Sequence, residues 1–134
     1  NDLSDVLIIS DFDGTLLGSD KKIPSKNIEA IERLKKQGGV FVVASGRANF
    51  VLEKNAPEIE YIVNGPCVYT NGSYFYDYQT KTRSNEKYLE ESMIESLIYT
   101  LSEINGIEKI YIKVYRWHEL MKHTILSLMF FDYE

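Results

Sequence analysis

Cysteine is nearly absent from this chain. A single residue, Cys67, stands among 134, so no internal disulfide framework is available, and the count fits a reducing compartment. Long apolar runs are missing too. No segment approaches the ~20 residues needed to span a bilayer, so no membrane is expected as a partner. The opening Asn1-Asp2-Leu3-Ser4-Asp5 lacks the basic-then-apolar order of a signal peptide, and a cytoplasmic location is the expectation. Lys and Arg form no run, and the net charge is −5. A nucleic-acid backbone is therefore not an expected partner. Internal repeats and low-complexity tracts are absent as well. What remains is 44% hydrophobic and 26% charged, the composition of a globular domain long enough to bury a core.

The stretch that organises the rest is Asp11-Phe12-Asp13-Gly14-Thr15-Leu16. It follows Val6-Leu7-Ile8-Ile9, an apolar run that reads as a buried parallel strand. Two carboxylates thus sit where a core strand runs out into a loop, and Gly14 lets the chain turn there without a Cβ penalty. Side chains two apart on an extended strand share a side. Two anions so close repel, a cation relieves the repulsion, and oxygen-only ligands suit a hard ion such as magnesium. An Asp pair after a strand also serves often as a helix cap or turn, so the pair acquires meaning only with its surroundings.

Those surroundings repeat the theme. After a polar loop to Ile23, the entry Ile23-Pro24-Ser25 opens a helix with Ser25 as its cap. Ile28, Ile31 and Leu34 step along it, and Lys35-Lys36-Gln37-Gly38 carries stop signals. Val40-Phe41-Val42-Val43-Ala44 is a second strand, and this strand–helix–strand spacing predicts a parallel pair. Ser45-Gly46-Arg47 then lies beyond the carboxyl end of a strand, where parallel α/β sheets bind ligands. The Ser45 hydroxyl, the Gly46 amide and a helix starting near Arg47 are suited to phosphoryl oxygens; a plain strand-to-helix cap is the structural alternative. Residues 61–63 read as a short third strand closed by Asn64-Gly65. A hairpin around Asn71-Gly72 follows, and Tyr69, Tyr74, Tyr76 and Tyr78 suggest its half-exposed face, with sugar stacking as a second use. Residues 81–87 are polar and mark a boundary. Beyond it Leu89, Met93, Leu97, Ile98 and Leu101 fit a helix ended by Asn105-Gly106, followed by strands at 110–115 and 125–131 around a short helix at 117–122. His118 and His123 lack metal-pair spacing, and Cys67 lacks the context of a nucleophile.

Asp11 to Leu16 resembles the first motif of the haloacid dehalogenase superfamily, and Ala44-Ser45-Gly46-Arg47 resembles its second. The third-strand Asn-Gly and the hairpin resemble the Cof-type branch (class IIB), mostly phosphatases of small metabolites such as sugar phosphates. The resemblance implies a Rossmann-like α/β core with a parallel sheet and an inserted α/β cap, here residues 1–80 and 81–134. It implies that Asp11 is the nucleophile forming an aspartyl-phosphate, and that Asp13 is the general acid/base. It places magnesium on Asp11 and Asp13, and Ser45, Gly46, Arg47 and Asn64 at a phosphate ester. The family's third motif, a Lys, and its fourth, an acidic pair, follow the cap and are not found here. Lys109, Lys113 and Lys122 lie within the cap-like segment and do not stand in for them. The first strand is central in that family, so here it is expected at an edge, and the chain is expected to be the N-terminal half of a longer protein and inactive alone. Phosphomutase chemistry, a receiver-type phosphoacceptor and a non-catalytic interaction protein are the alternatives weighed. The oligomeric state is not legible.

Overall fold

The computed structural model describes residues 2–106, without the Glu91 side chain. The strands expected at 110–115 and 125–131, the helix at 117–122, and His118, His123, Lys109, Lys113 and Lys122 lie outside the described residues. Two compact units divide the chain, Asn1–Lys87 and Tyr88–Glu134.

The first unit opens as a strand–helix–strand. β1 (Leu7–Asp11) leads through the tight turn Phe12–Leu16 and a loop to α1 (Ser25–Lys36), which returns to β2 (Val40–Ala44). β1 and β2 pair in parallel from Leu7↔Val40 to Asp11↔Ala44. Ile31 and Leu34 bury the inner face of α1. The Ser25 side chain does not cap this helix; the Pro24 carbonyl accepts from the Asn27 and Ile28 amides instead. Gly38, at φ 90°, ends it as expected. Two short helices, α2 (Asn49–Asn55) and α3 (Ile59–Ile62), precede β3 (Cys67–Tyr69), β4 (Tyr74–Asp77) and β5 (Thr82–Ser84). The sheet order is β1-β2-β3-β4-β5. β3 runs parallel to β2, while β4 and β5 are antiparallel to their neighbours. The result is a parallel α/β half-sheet extended by an antiparallel meander.

Several expectations are corrected. Residues 61–63 do not form the third strand; Ile59 and Ile62 are fully buried and Tyr61 is exposed, the three-residue stepping of a helical turn. The third strand is β3, one segment later. β1 is not buried. It is the sheet edge among the described residues, and Leu7, Ile8 and Ile9 are 57%, 44% and 57% exposed. An edge position, among the described residues, is the one expected for it. Residues 82–84 form a strand within the stretch read as a polar boundary, and the first unit ends at Lys87, the last residue of that stretch. Tyr69, Tyr74 and Tyr78 are buried, with the Tyr69 and Tyr78 hydroxyls 2.7 Å apart. They are core, not a stacking surface for sugars.

Phe41 and Val43 face the core beneath the helices. Alternation sends Leu7, Ile9, Val40, Val42, Val68 and Phe75 to the other face, where they line an open groove of about 640 Å³. In the second unit, α4 (Glu91–Ser102) matches the expected helix, with Met93, Leu97 and Tyr99 exposed. No described helix is long and apolar enough to cross a membrane.

Candidate active site

Parallel pairing of β1 and β2 brings their carboxyl ends together, Asp11 opposite Ala44. The loops that carry the acids and the Ser-Gly-Arg turn therefore leave the sheet side by side. Phe12 plunges into the core and Leu16 follows it, so the intervening residues are held at the rim by two buried anchors. The Leu17 amide donates to the Phe12 carbonyl at 3.1 Å, and Gly14 turns the chain at φ 73°. The Asp11 carboxylate is exposed and makes no hydrogen bond or ion pair among the described residues. Asp13 is different. Arg47 clasps its carboxylate with both arms of the guanidinium, Nε to Oδ2 at 2.7 Å and Nη2 to Oδ1 at 2.8 Å. One acid is thus open and the other is held by a bidentate ion pair.

Ser45 is buried, and its Oγ accepts the Arg47 amide at 3.1 Å. That bond uses a lone pair and leaves the hydroxyl proton available. The Ser45 amide donates to the Val68 carbonyl at 2.9 Å. Gly46 and Arg47 are exposed beside it. The helix expected to begin near Arg47 begins at Asn49, whose amide already donates to the Tyr74 hydroxyl at 3.1 Å. The side-chain positive charge beside Asp13 comes from Arg47.

Asn64 is placed elsewhere. Its Oδ1 accepts the Phe41 amide at 2.7 Å and its Nδ2 donates to the Gly39 carbonyl at 3.0 Å. Both partners lie at the amino end of β2, opposite the rim. Asn64 caps the start of that strand, and the expectation that it lines the site is corrected. The error follows from the misplaced third strand. Asn71, read from sequence only as a turn former, reaches the rim instead, because β3 is the strand that ends there.

Cys67 is buried, and desolvation pushes its thiol up to about 11. Burial raises the Tyr69 and Tyr78 phenols as well. These are inert interior groups, not reactive ones.

The acidic residues at the rim suit magnesium in the chemistry of their donors, which are oxygens. The open Asp11 carboxylate and the Asp13 backbone carbonyl are the available pair. Among the described residues there is no group of three or more His, Cys, Asp or Glu able to hold a metal.

Comparison with known proteins identifies the family. Residues 8–125 match a family described as haloacid dehalogenase-like hydrolase. A Mycoplasma genitalium protein named as a candidate phosphatase is 31% identical over 90% of this chain and 44% of its own length. The pyridoxal phosphate phosphatase of Escherichia coli K12 is 32% identical over 57% of this chain and 27% of its own. A haloacid dehalogenase-like hydrolase from Bacteroides thetaiotaomicron superposes with a TM-score of 0.57 at 29% identity. That match covers 72% of this chain and 37% of that one. The chain spans less than half the length of each of these relatives.

Proposed function

Because this chain belongs to the haloacid dehalogenase-like hydrolases, we propose that it supplies the nucleophile half of a phosphatase for a small phosphorylated metabolite, a sugar phosphate being the leading class. The observation that carries the reading is the pairing of an open Asp11 carboxylate with an Arg47-bound Asp13 at the ends of adjacent parallel strands. In the first step Asp13, released from Arg47 by the phosphate and protonated from solvent, faces the leaving group; an Asp11 oxygen attacks phosphorus, the ester P–O bond breaks, and Asp13 gives that proton to the departing alkoxide. In the second, Asp13 takes a proton from water, the water oxygen bonds to phosphorus, and the acyl P–O bond breaks to return Asp11 and inorganic phosphate. Arg47 presents a planar fork that fits phosphoryl oxygens as well as it fits a carboxylate. The Ser45 hydroxyl, its oxygen already engaged by the Arg47 amide, donates its proton to the same group. Asp11 and the Asp13 carbonyl would hold magnesium. When bound, the ion neutralises charge on the transferring group.

The test is Asp11→Asn in the protein as its gene encodes it. Turnover of a phosphate ester should fall to background with the fold retained, and the wild type should release inorganic phosphate rather than an isomeric ester, which separates phosphatase from mutase. Undiminished turnover by Asp11→Asn would end the covalent mechanism.

A further inference from the structure

We propose that Asn71 is a positioning residue of the Ser45-Gly46-Arg47 turn, and that position 46 is glycine to admit the Asn71 side chain. This rests on the reading of that turn as the phosphoryl-holding element.

β3 runs parallel to β2, so the loop after Tyr69 emerges on the rim beside Ser45. Its first two amides reach across to the turn. The Thr70 amide donates to the Arg47 carbonyl at 3.1 Å and the Asn71 amide to the Ser45 carbonyl at 3.4 Å. The reach is obtained with two successive left-handed residues, Thr70 at φ 50° and Asn71 at φ 57°, ψ 37°. Asn tolerates that region, but a β-branched Thr does so only at a cost. Thr70 also buries its Oγ1, which finds no hydrogen-bond partner among the described residues. A cheap two-residue Asn-Gly turn could close a β-hairpin without either penalty. Such strain persists only where the surroundings over-determine it, and it clusters at functional sites.

The side chain supplies the second observation. A methyl group on Gly46 would lie 2.9 Å from Asn71 Oδ1 and 3.7 Å from its Nδ2. Gly46 does not have a left-handed φ, so its backbone does not demand glycine; a side chain there would instead push the end of the Asn71 amide from its place. Of the three amides in the turn, those of Ser45 and Arg47 are engaged, while that of Gly46 has no acceptor among the described residues. Asn71 thus packs on the residue whose N–H is open to a phosphoryl oxygen, and it fixes where that N–H points.

Two experiments on the gene-encoded protein test this, and only one depends on turnover. Gly46→Ala should lower the melting temperature, and adding Asn71→Gly, which keeps the left-handed conformation and removes the side chain, should restore most of the loss. An equal loss in both backgrounds would overturn the contact, whatever the activity. The Gly46 amide resonance should shift on titration with inorganic phosphate, and Asn71→Gly should weaken that binding about tenfold, with KM for the ester rising more than kcat falls. Asn71→Asp, which keeps the shape but adds a charge, should weaken phosphate further. Equal phosphate affinity in all three proteins would overturn the positioning role. Wild-type turnover that does not require Asp11 would instead overturn the covalent mechanism and leave the Gly46–Asn71 cycle to stand or fall on its own.

Discussion

Asp13 and Arg47 sit 34 positions apart in sequence and meet only because two strands end together. Their bond gives the acid a cationic partner; in the proposed mechanism a phosphate that engages Arg47 exchanges one anion for another and frees Asp13 for proton transfer. General acid catalysis contributes typically 10²–10⁴-fold when the leaving group needs a proton. Asp13→Asn should therefore slow phosphoenzyme formation more with a sugar phosphate than with nitrophenyl phosphate; equal losses would leave Asp13 only a structural part. Cys67 gives a prediction in pH. The folded thiol titrates near 11, above its ordinary 9, because burial penalises the charged form. Stability from the buried neutral thiol is thus complete below pH 9 and is lost as pH rises through 11. The urea midpoint should hold below pH 9 and then decline, and Cys67→Ala should remove part of that decline. A decline of the same size in the variant would assign it to the buried tyrosines instead. At this scale the acids, Ser45 and Arg47 were legible, because each closes or follows an unmistakable apolar strand. The exchange of roles between Asn64 and Asn71 was not. Both read as Asn-Gly turns, and only the identity of the strand before each tells them apart.

Among the elements, those with long periodic patterns were readable. α1 had three stepped apolar residues, basic residues in its last turn and a glycine stop; α4 was readable in the same way. Residues 59–62 were too short for a period to show, and burial on a three-residue step decided them as helix. β5 is Thr-Arg-Ser, with no apolar residue to announce a strand. Its place comes from pairing with β4 and from Arg83, which stacks 4.3 Å from the Tyr74 ring centroid and donates to Asn49 Oδ1 at 3.2 Å. β1 carries the opposite disparity, a strongly apolar sequence in an exposed edge strand. Unpaired apolar edges pair with other copies. The 134-residue chain should scatter light increasingly with concentration, and Leu7→Lys with Ile9→Lys should suppress this. Scattering that ignores the double substitution would place the self-association elsewhere.

For the molecule as a whole, the family was legible from two short stretches, Asp11 to Leu16 and Ala44 to Arg47, although they make up little of the chain. The sheet's parallel start followed from spacing alone. Its antiparallel continuation needed long-range partners that no local pattern encodes. The open groove of about 640 Å³ over Leu7, Ile9, Val40, Val42, Val68 and Phe75 has a calorimetric consequence. Unfolding raises heat capacity in proportion to the apolar surface newly wetted. Among the described residues, Leu7 and Ile9 on that side are already wetted in the folded state, so less remains to be exposed. Its heat-capacity increment should fall below the roughly 12–15 cal/mol/K per residue of ordinary domains, and its denaturant m-value should be shallow for its length. Scanning calorimetry returning the full increment would mean that the apolar side is covered in solution. With a small increment the stability curve flattens, and the folded state weakens little on cooling.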